Sequence, residues 1–94
     1  MILRLVKMSF KADETANFLA YFETVRSKIE DMPGIVNLKI YQDEKDENMI
    51  FTHSTWLNQR SLDAYRKSSL FAEVWPKTKL LFADKPMAWS LKLK

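Results

Sequence analysis

The stretch whose reading decides the fold is Phe51 to Trp75, FTHSTWLNQRSLDAYRKSSLFAEVW. Strand-like residues run up to Trp56, and helical spacing then brings Leu62, Tyr65, Phe71 and Trp75 to one side. Trp56, Tyr65, Phe71 and Trp75 therefore meet where a strand joins helices. They surround either a dense core or a flat apolar pocket. No other part of the chain carries comparable chemistry.

Working outward towards the N-terminus, residues 49–56 read as a strand preceded by the charged, turn-like run Asp43 to Asn48. That run is a hairpin connection to residues 35–42, where Val36, Leu38 and Ile40 alternate with Asn37 and Lys39. Pro33-Gly34, with the only glycine of the chain, is the clearest turn signal. Before it, Phe18, Phe22, Val25, Ile29 and Met32 recur at steps of four and three. That spacing predicts a helix with one apolar stripe, capped by Asp13 and laid against one face of a sheet. Residues 1–10 read as a strand with Ile2, Val6, Met8 and Phe10 on one side and Leu3 and Leu5 on the other.

Towards the C-terminus, Ser61 to Lys67 reads as a short helix. Ser68 or Ser69 caps a second, carrying Leu70, Phe71, Val74 and Trp75, which Pro76 must kink or restart. Residues 86–94 read as a last strand with Met87, Trp89, Leu91 and Leu93 on one face. The order β-α-β-β-α-α-β predicts an α+β fold of ferredoxin-like type, an antiparallel sheet with helices on one face. Strands one and three, however, carry apolar residues on both faces. The uncovered face would exceed what a soluble monomer normally exposes, so an identical chain is expected to cover it as a homodimer.

Composition narrows the class. The 94 residues make one domain, 1–94, and 47% apolar content with six Phe, three Tyr and three Trp exceeds what a small two-layer core needs. The absence of cysteine excludes disulfides and thiolate metal sites and suits a reducing, cytoplasmic setting. No apolar run approaches the roughly 20 residues of a membrane span. Met1-Ile2-Leu3 leads into a segment interrupted by Arg4 and Lys7, unlike a signal peptide. The net charge of +3 is spread among mixed signs, with no basic stripe to bind nucleic acid. Arg60, Arg66 and Lys67 read as a solvated helix face. No pair of His or acidic side chains stands at ligand spacing, so no metal is expected. The lone glycine rules out a phosphate-cradling loop.

The strand order, the Pro-Gly turn, the charged hairpin and the spacing Trp56–Leu62–Tyr65–Phe71 resemble the antibiotic biosynthesis monooxygenase family. The resemblance covers nearly the whole chain and implies a dimeric α+β barrel, in which two ferredoxin-like sheets pack face to face. Members include cofactor-independent monooxygenases and haem-degrading enzymes, so fold membership alone names no reaction. The haem-degrading branch uses an Asn on strand one, an aromatic on the helix after strand three and a His one helix further on. Here Tyr65 stands at the aromatic position, Trp75 at the His position, and MILRLVKMSF contains no Asn. The monooxygenase branch oxidises flat phenolic molecules with oxygen and no bound cofactor, in a pocket of Trp, Tyr and polar groups. Trp56 and Tyr65 match such a pocket, and strand one offers it only Arg4, Lys7 and Ser9.

The resemblance thus implies oxidation of a small aromatic or quinone-like molecule without metal or flavin. The alternative is a non-catalytic ligand-binding or structural homodimer of the same fold. His53, the only histidine, shares a face with Met49, Phe51 and Thr55, opposite Ile50, Thr52, Ser54 and Trp56. If its face looks into the pocket, it is the candidate base that takes a proton from a phenol. Otherwise it belongs to the rim or the dimer interface. Tyr65 is the candidate donor to a developing oxyanion. Trp56, Phe71 and Trp75 are the candidate substrate-binding walls, against plain core packing as the other reading. Trp89 is expected in the core or across the dimer.

Overall fold

The computed structural model describes residues 1–94. Four strands, β1 (Ile2–Ser9), β2 (Ile35–Gln42), β3 (Met49–Trp56) and β4 (Met87–Leu91), form one antiparallel sheet in the order β2-β3-β1-β4. Three helices, α1 (Thr15–Glu30), α2 (Gln59–Arg66) and α3 (Ser69–Lys79), complete the order β-α-β-β-α-α-β. This is the ferredoxin-like arrangement that the sequence predicts. No helix is long and apolar enough to cross a membrane.

The predicted stripe of α1 is its buried face: Phe18, Phe22, Val25 and Ile29 are all withdrawn from solvent. They pack against Met8, Leu38 and Ile50 of the sheet, with Phe10 and Val74 of α3 in the same cluster. Each such side chain contributes about 1.5–3 kcal/mol when fully buried, so α1 is held by its packing rather than by its caps. Asp13 does not cap it. The cap position is Glu14, which makes no side-chain bond because its backbone is helical rather than extended. Thr15 instead anchors this end, its hydroxyl lying 2.7 Å from Asn48 Oδ1 in the loop before β3.

Gly34 has φ of +85° and lets the chain turn from α1 into β2. A β-bulge between Ile35 and Asn37 then shifts the register by one residue. Ile35 therefore packs towards the core, whereas Val36 is 46% exposed and leaves the predicted alternation with Leu38 and Ile40. Nothing in the strand's apolar pattern marks the bulge.

Asn58 caps α2, accepting from Ser61 N at 2.9 Å, which starts that helix two residues before Ser61. Ser68 caps α3 and accepts from Phe71 N at 3.2 Å. Pro76 neither ends nor restarts α3, which runs through it to Lys79. The lost backbone donor is tolerated because the buried Val74 and Thr78 hold the helix on either side. Residues 81–83 add a contact no periodicity announces. Lys11 N donates to Leu81 O at 3.0 Å and Ala83 N to Ser9 O at 2.8 Å, so Phe82 bridges Phe10 before β4 begins.

All three helices lie on one side of the sheet. The other side is bare. Across it run the rows Lys39–His53–Leu5–Trp89 and Tyr41–Phe51–Lys7–Met87. Trp89 is 38% exposed there and is not a core residue. β4 is exposed along its whole length, and Leu93 lies beyond the strand, 98% exposed.

Candidate functional site

Alternation along β1 and β3 decides what faces the helices. Arg4, Val6 and Met8 of β1 line a cavity with Thr52, Ser54 and Trp56 of β3. Helices α2 and α3 roof it with Leu62, Tyr65, Arg66, Phe71, Val74 and Trp75. The space is about 220 Å³ and mostly apolar. It falls somewhat below the roughly 300–1,000 Å³ of typical small-molecule sites, yet it is far larger than the water-sized voids of a packed core.

The aromatic walls are ordered by contact. Trp56 is fully buried, and its indole Nε1 donates to Ser54 Oγ at 2.9 Å. Tyr65 stacks on Trp56 with ring centroids 5.1 Å apart and planes at 24°. Phe71 meets Tyr65 edge-on at 5.3 Å and stacks with Trp75 at 5.8 Å. The structure thus brings together the four rings singled out in the sequence. They leave a space beside them rather than filling it.

Polar groups at the cavity are few. Burial pushes the Tyr65 phenol up to about 12, so near neutrality the ring is protonated and its hydroxyl serves as a donor. That hydroxyl makes no hydrogen bond within the chain and is not among the unpartnered polar atoms shielded from solvent, and its residue lines the cavity. Thr78 is unavailable, since its hydroxyl donates to Val74 O at 2.9 Å. The Arg4 guanidinium donates to Ser90 Oγ at 3.0 Å and is held below its ordinary value by burial and then by the nearby charge of Arg66.

His53 does not join this site. It lies on the bare face of the sheet, opposite Leu5 on β1 and Lys39 on β2, while its neighbours Thr52 and Ser54 point at the cavity. The condition for a proton-accepting role in the pocket is therefore not met within the chain, because strand alternation turns the ring away. Its Nδ1 is shielded from solvent with no hydrogen-bond partner, and Tyr41 stands edge-on at 6.2 Å.

One residue of the site escaped the sequence reading. Arg66 was expected on a solvated face, but it follows Leu62 by four residues and so shares the side of α2 that borders the cavity. Of the three polar groups that strand one offers, Arg4 alone lines the cavity, because it is in phase with Val6 and Met8 whereas Lys7 and Ser9 are not. No three His, Asp or Glu side chains converge anywhere in the chain to hold a metal.

Comparison with known proteins agrees with this architecture. A crystal structure of an antibiotic biosynthesis monooxygenase superposes with a TM-score of 0.93 at 14% identity, over 100% of this chain and 99% of that one. A conserved protein from Methanosarcina mazei superposes equally well, at 0.93, with 18% identity over 100% of this chain and 94% of that one. At such identities the likeness speaks for the fold. In sequence, the chain is 29% identical over 76 residues to a Natronomonas pharaonis protein named "Putative heme-binding protein". The match takes in 81% of this chain and 13% of that much longer relative. The model of the family described as antibiotic biosynthesis monooxygenase matches residues 1–75, most of the chain, and the chain belongs to that family.

Proposed function

We propose that the cavity binds a small, flat aromatic or quinone-like molecule and supports its oxygenation without a bound cofactor. The observation that carries this reading is the free, protonated Tyr65 hydroxyl beside the Trp56 stack in a mostly apolar space. Trp56, Phe71 and Trp75 bind the ring by face and edge contact. Tyr65 donates to the substrate oxygen and stabilises the anion left when the substrate loses a proton. Such a carbanion reacts directly with oxygen: a ring CH₂ becomes C=O, and O₂ supplies one atom to the product and one to water.

Proton removal is not assigned to His53, which lies across the sheet. The proton passes to solvent, with the Tyr65 donor lowering the cost of the anion. That missing base also supports a second reading, a ligand-binding dimer without turnover. No side chain with an ordinary pKa near neutrality lines the cavity. Oxygen uptake with a panel of anthrones, hydroquinones and catechols separates the two. Uptake above the uncatalysed rate that falls in Tyr65→Phe upholds the enzyme; binding without uptake across the panel upholds the alternative.

The name of the Natronomonas pharaonis relative raises haem as another ligand. The residues present do not fit a haem iron. The only histidine faces away, Tyr65 is held protonated, and Met8 is the one soft donor at the cavity. Titration with haemin is expected to leave the Soret band unshifted.

Assembly and location complete the proposal. The bare sheet face carries Leu3, Leu5, Phe51, Trp89 and Leu91, which supports a homodimer of two single-domain chains (1–94) joined sheet to sheet. In that dimer, His53 is an interface residue. The absence of cysteine supports a reducing, cytoplasmic location.

A further inference from the structure

Arg4 and Arg66 make an unusual border for an apolar cavity. Arginine side chains normally find a carboxylate or stand apart in solvent. The ion pairs of the chain are Arg26 with Glu23 and Glu30, and Lys77 with Glu73, and neither Arg4 nor Arg66 takes part. The acidic group nearest in sequence to Arg66 on this border is Asp63, whose Oδ1 accepts from Gln59 at 2.9 Å. Lys67 adds a further cation to the same edge. The only hydrogen bond that fixes Arg4 comes from its η1 nitrogen to Ser90 Oγ, across the β1–β4 pairing.

The two guanidinium groups are close enough that the charge of Arg66 disfavours protonation of Arg4, which burial already disfavours. Arg4 is half-buried and Arg66 exposed at this opening, and with no acid between them an anion that joins the two offsets their repulsion. Their position relative to the rings matters as much. In β1, Arg4 sits between Ile2 and Val6 on the cavity face, so its side chain rises from the same floor as Ser54 and Trp56. Arg66 follows Tyr65 directly on α2. A molecule whose ring lies beside Trp56 and Tyr65 therefore extends its substituent towards two planar donors.

The geometry points to an aromatic carboxylate as the ligand class of this cavity, with the ring beside Trp56 and Tyr65 and the carboxylate shared by Arg4 and Arg66. This inference rests on the reading of the cavity as a site for a flat aromatic molecule and adds the charge that the molecule must carry. Guanidinium forks suit the two oxygens of a carboxylate, and a partly buried pair strengthens such bonds beyond their worth in water.

The test is calorimetric titration of the full chain with naphthalene-2-carboxylate and with the neutral naphthalene-2-carboxamide at low ionic strength. The carboxylate is expected to bind about tenfold tighter or more, as charge-assisted hydrogen bonds imply. Arg4→Gln and Arg66→Gln should each cut that preference severalfold by weakening the carboxylate more than the carboxamide, while Arg4→Lys retains part of it. Circular dichroism checks that each variant is folded; should Arg4→Gln fail, exposed Arg66 carries the same test. Equal binding of both molecules by the unaltered chain overturns the carboxylate inference and leaves the aromatic site standing. A preference that survives both Gln substitutions overturns it too. Binding of neither molecule overturns both readings, because the cavity then does not admit a flat ring.

Discussion

The phenol ring of Tyr65 lies on the indole of Trp56, with centroids 5.1 Å apart and planes at 24°. One ring comes from the second helix and the other from the end of the third strand, so the pair ties α2 to the sheet. It also separates two roles. Trp56 is fully buried and supplies packing; Tyr65 adds a hydroxyl that the chain itself does not use.

Tyr65→Phe keeps the stack and removes only the donor. Its melting temperature should stay within a few degrees of the parent, while turnover of any accepted phenolic substrate falls about 100-fold, the scale of a lost oxyanion donor. Trp56→Ala removes the wall itself and should cost about 3–5 kcal/mol in denaturant unfolding. A Tyr65→Phe protein with full oxygen uptake would remove the hydroxyl from the chemistry.

The raised phenol pKa makes a stability prediction of defined sign. The folded chain holds the Tyr65 proton up to about pH 12, whereas the unfolded chain loses it around pH 10. The neutral phenol therefore stabilises the fold fully below pH 10, and that contribution is lost as the pH rises to about 12. A shift of this size corresponds to about 2–3 kcal/mol. The loss is read as the difference in unfolding free energy between the parent and Tyr65→Phe, measured at pH 9 and pH 12. Equal losses in the two proteins would contradict it.

Gly34 is placed where no side chain fits. Its φ is +85°, and a Cβ there would run into both Cβ and Oγ of Ser61 at the start of α2. Gly34→Ala should destabilise by more than about 1 kcal/mol and lower the melting temperature by at least about 4–8 °C. Ser61→Ala should not rescue it, because the clash includes the Ser61 Cβ. Ser61→Gly should restore part of the loss. Since Ser61 lies in the first turn of the helix that carries Tyr65, weaker ligand binding should accompany the thermal shift.

The bare sheet face is tested by charge. Leu5 stands at its centre, between His53 and Trp89 in the register. Leu5→Glu should turn a dimer into a monomer by light scattering, without changing the fold within each chain. A parent protein that is already monomeric at micromolar concentration would remove the dimer proposal. His53→Ala should leave affinity for ligands of the cavity unchanged, because a strand separates its ring from that space. A large loss of affinity would return His53 to the site.

Much of this was legible from residue spacing. The α1 stripe of Phe18, Phe22, Val25 and Ile29, the Pro33-Gly34 turn and the strand-to-helix passage through Trp56 are local patterns, each set by a few neighbouring residues. The helix-facing side of β1 was equally plain, because alternation assigns every second residue to one face. The bulge that exposes Val36 was not legible, nor was the Phe10–Phe82 bridge. Both arise from pairing between segments far apart in the chain, which no local pattern records.

The sequence by itself determined the element order, the apolar faces and the family, because these follow from side-chain periodicity and turn chemistry within short windows. It also supplied the four rings of the cavity. Only the tertiary structure decided that those rings leave an open space, that His53 looks away from it and that Arg4 and Arg66 border it. These are relations between elements. They depend on which face of the sheet the helices cover and on how closely α2 and α3 approach it, and that is settled by packing of the whole chain at once.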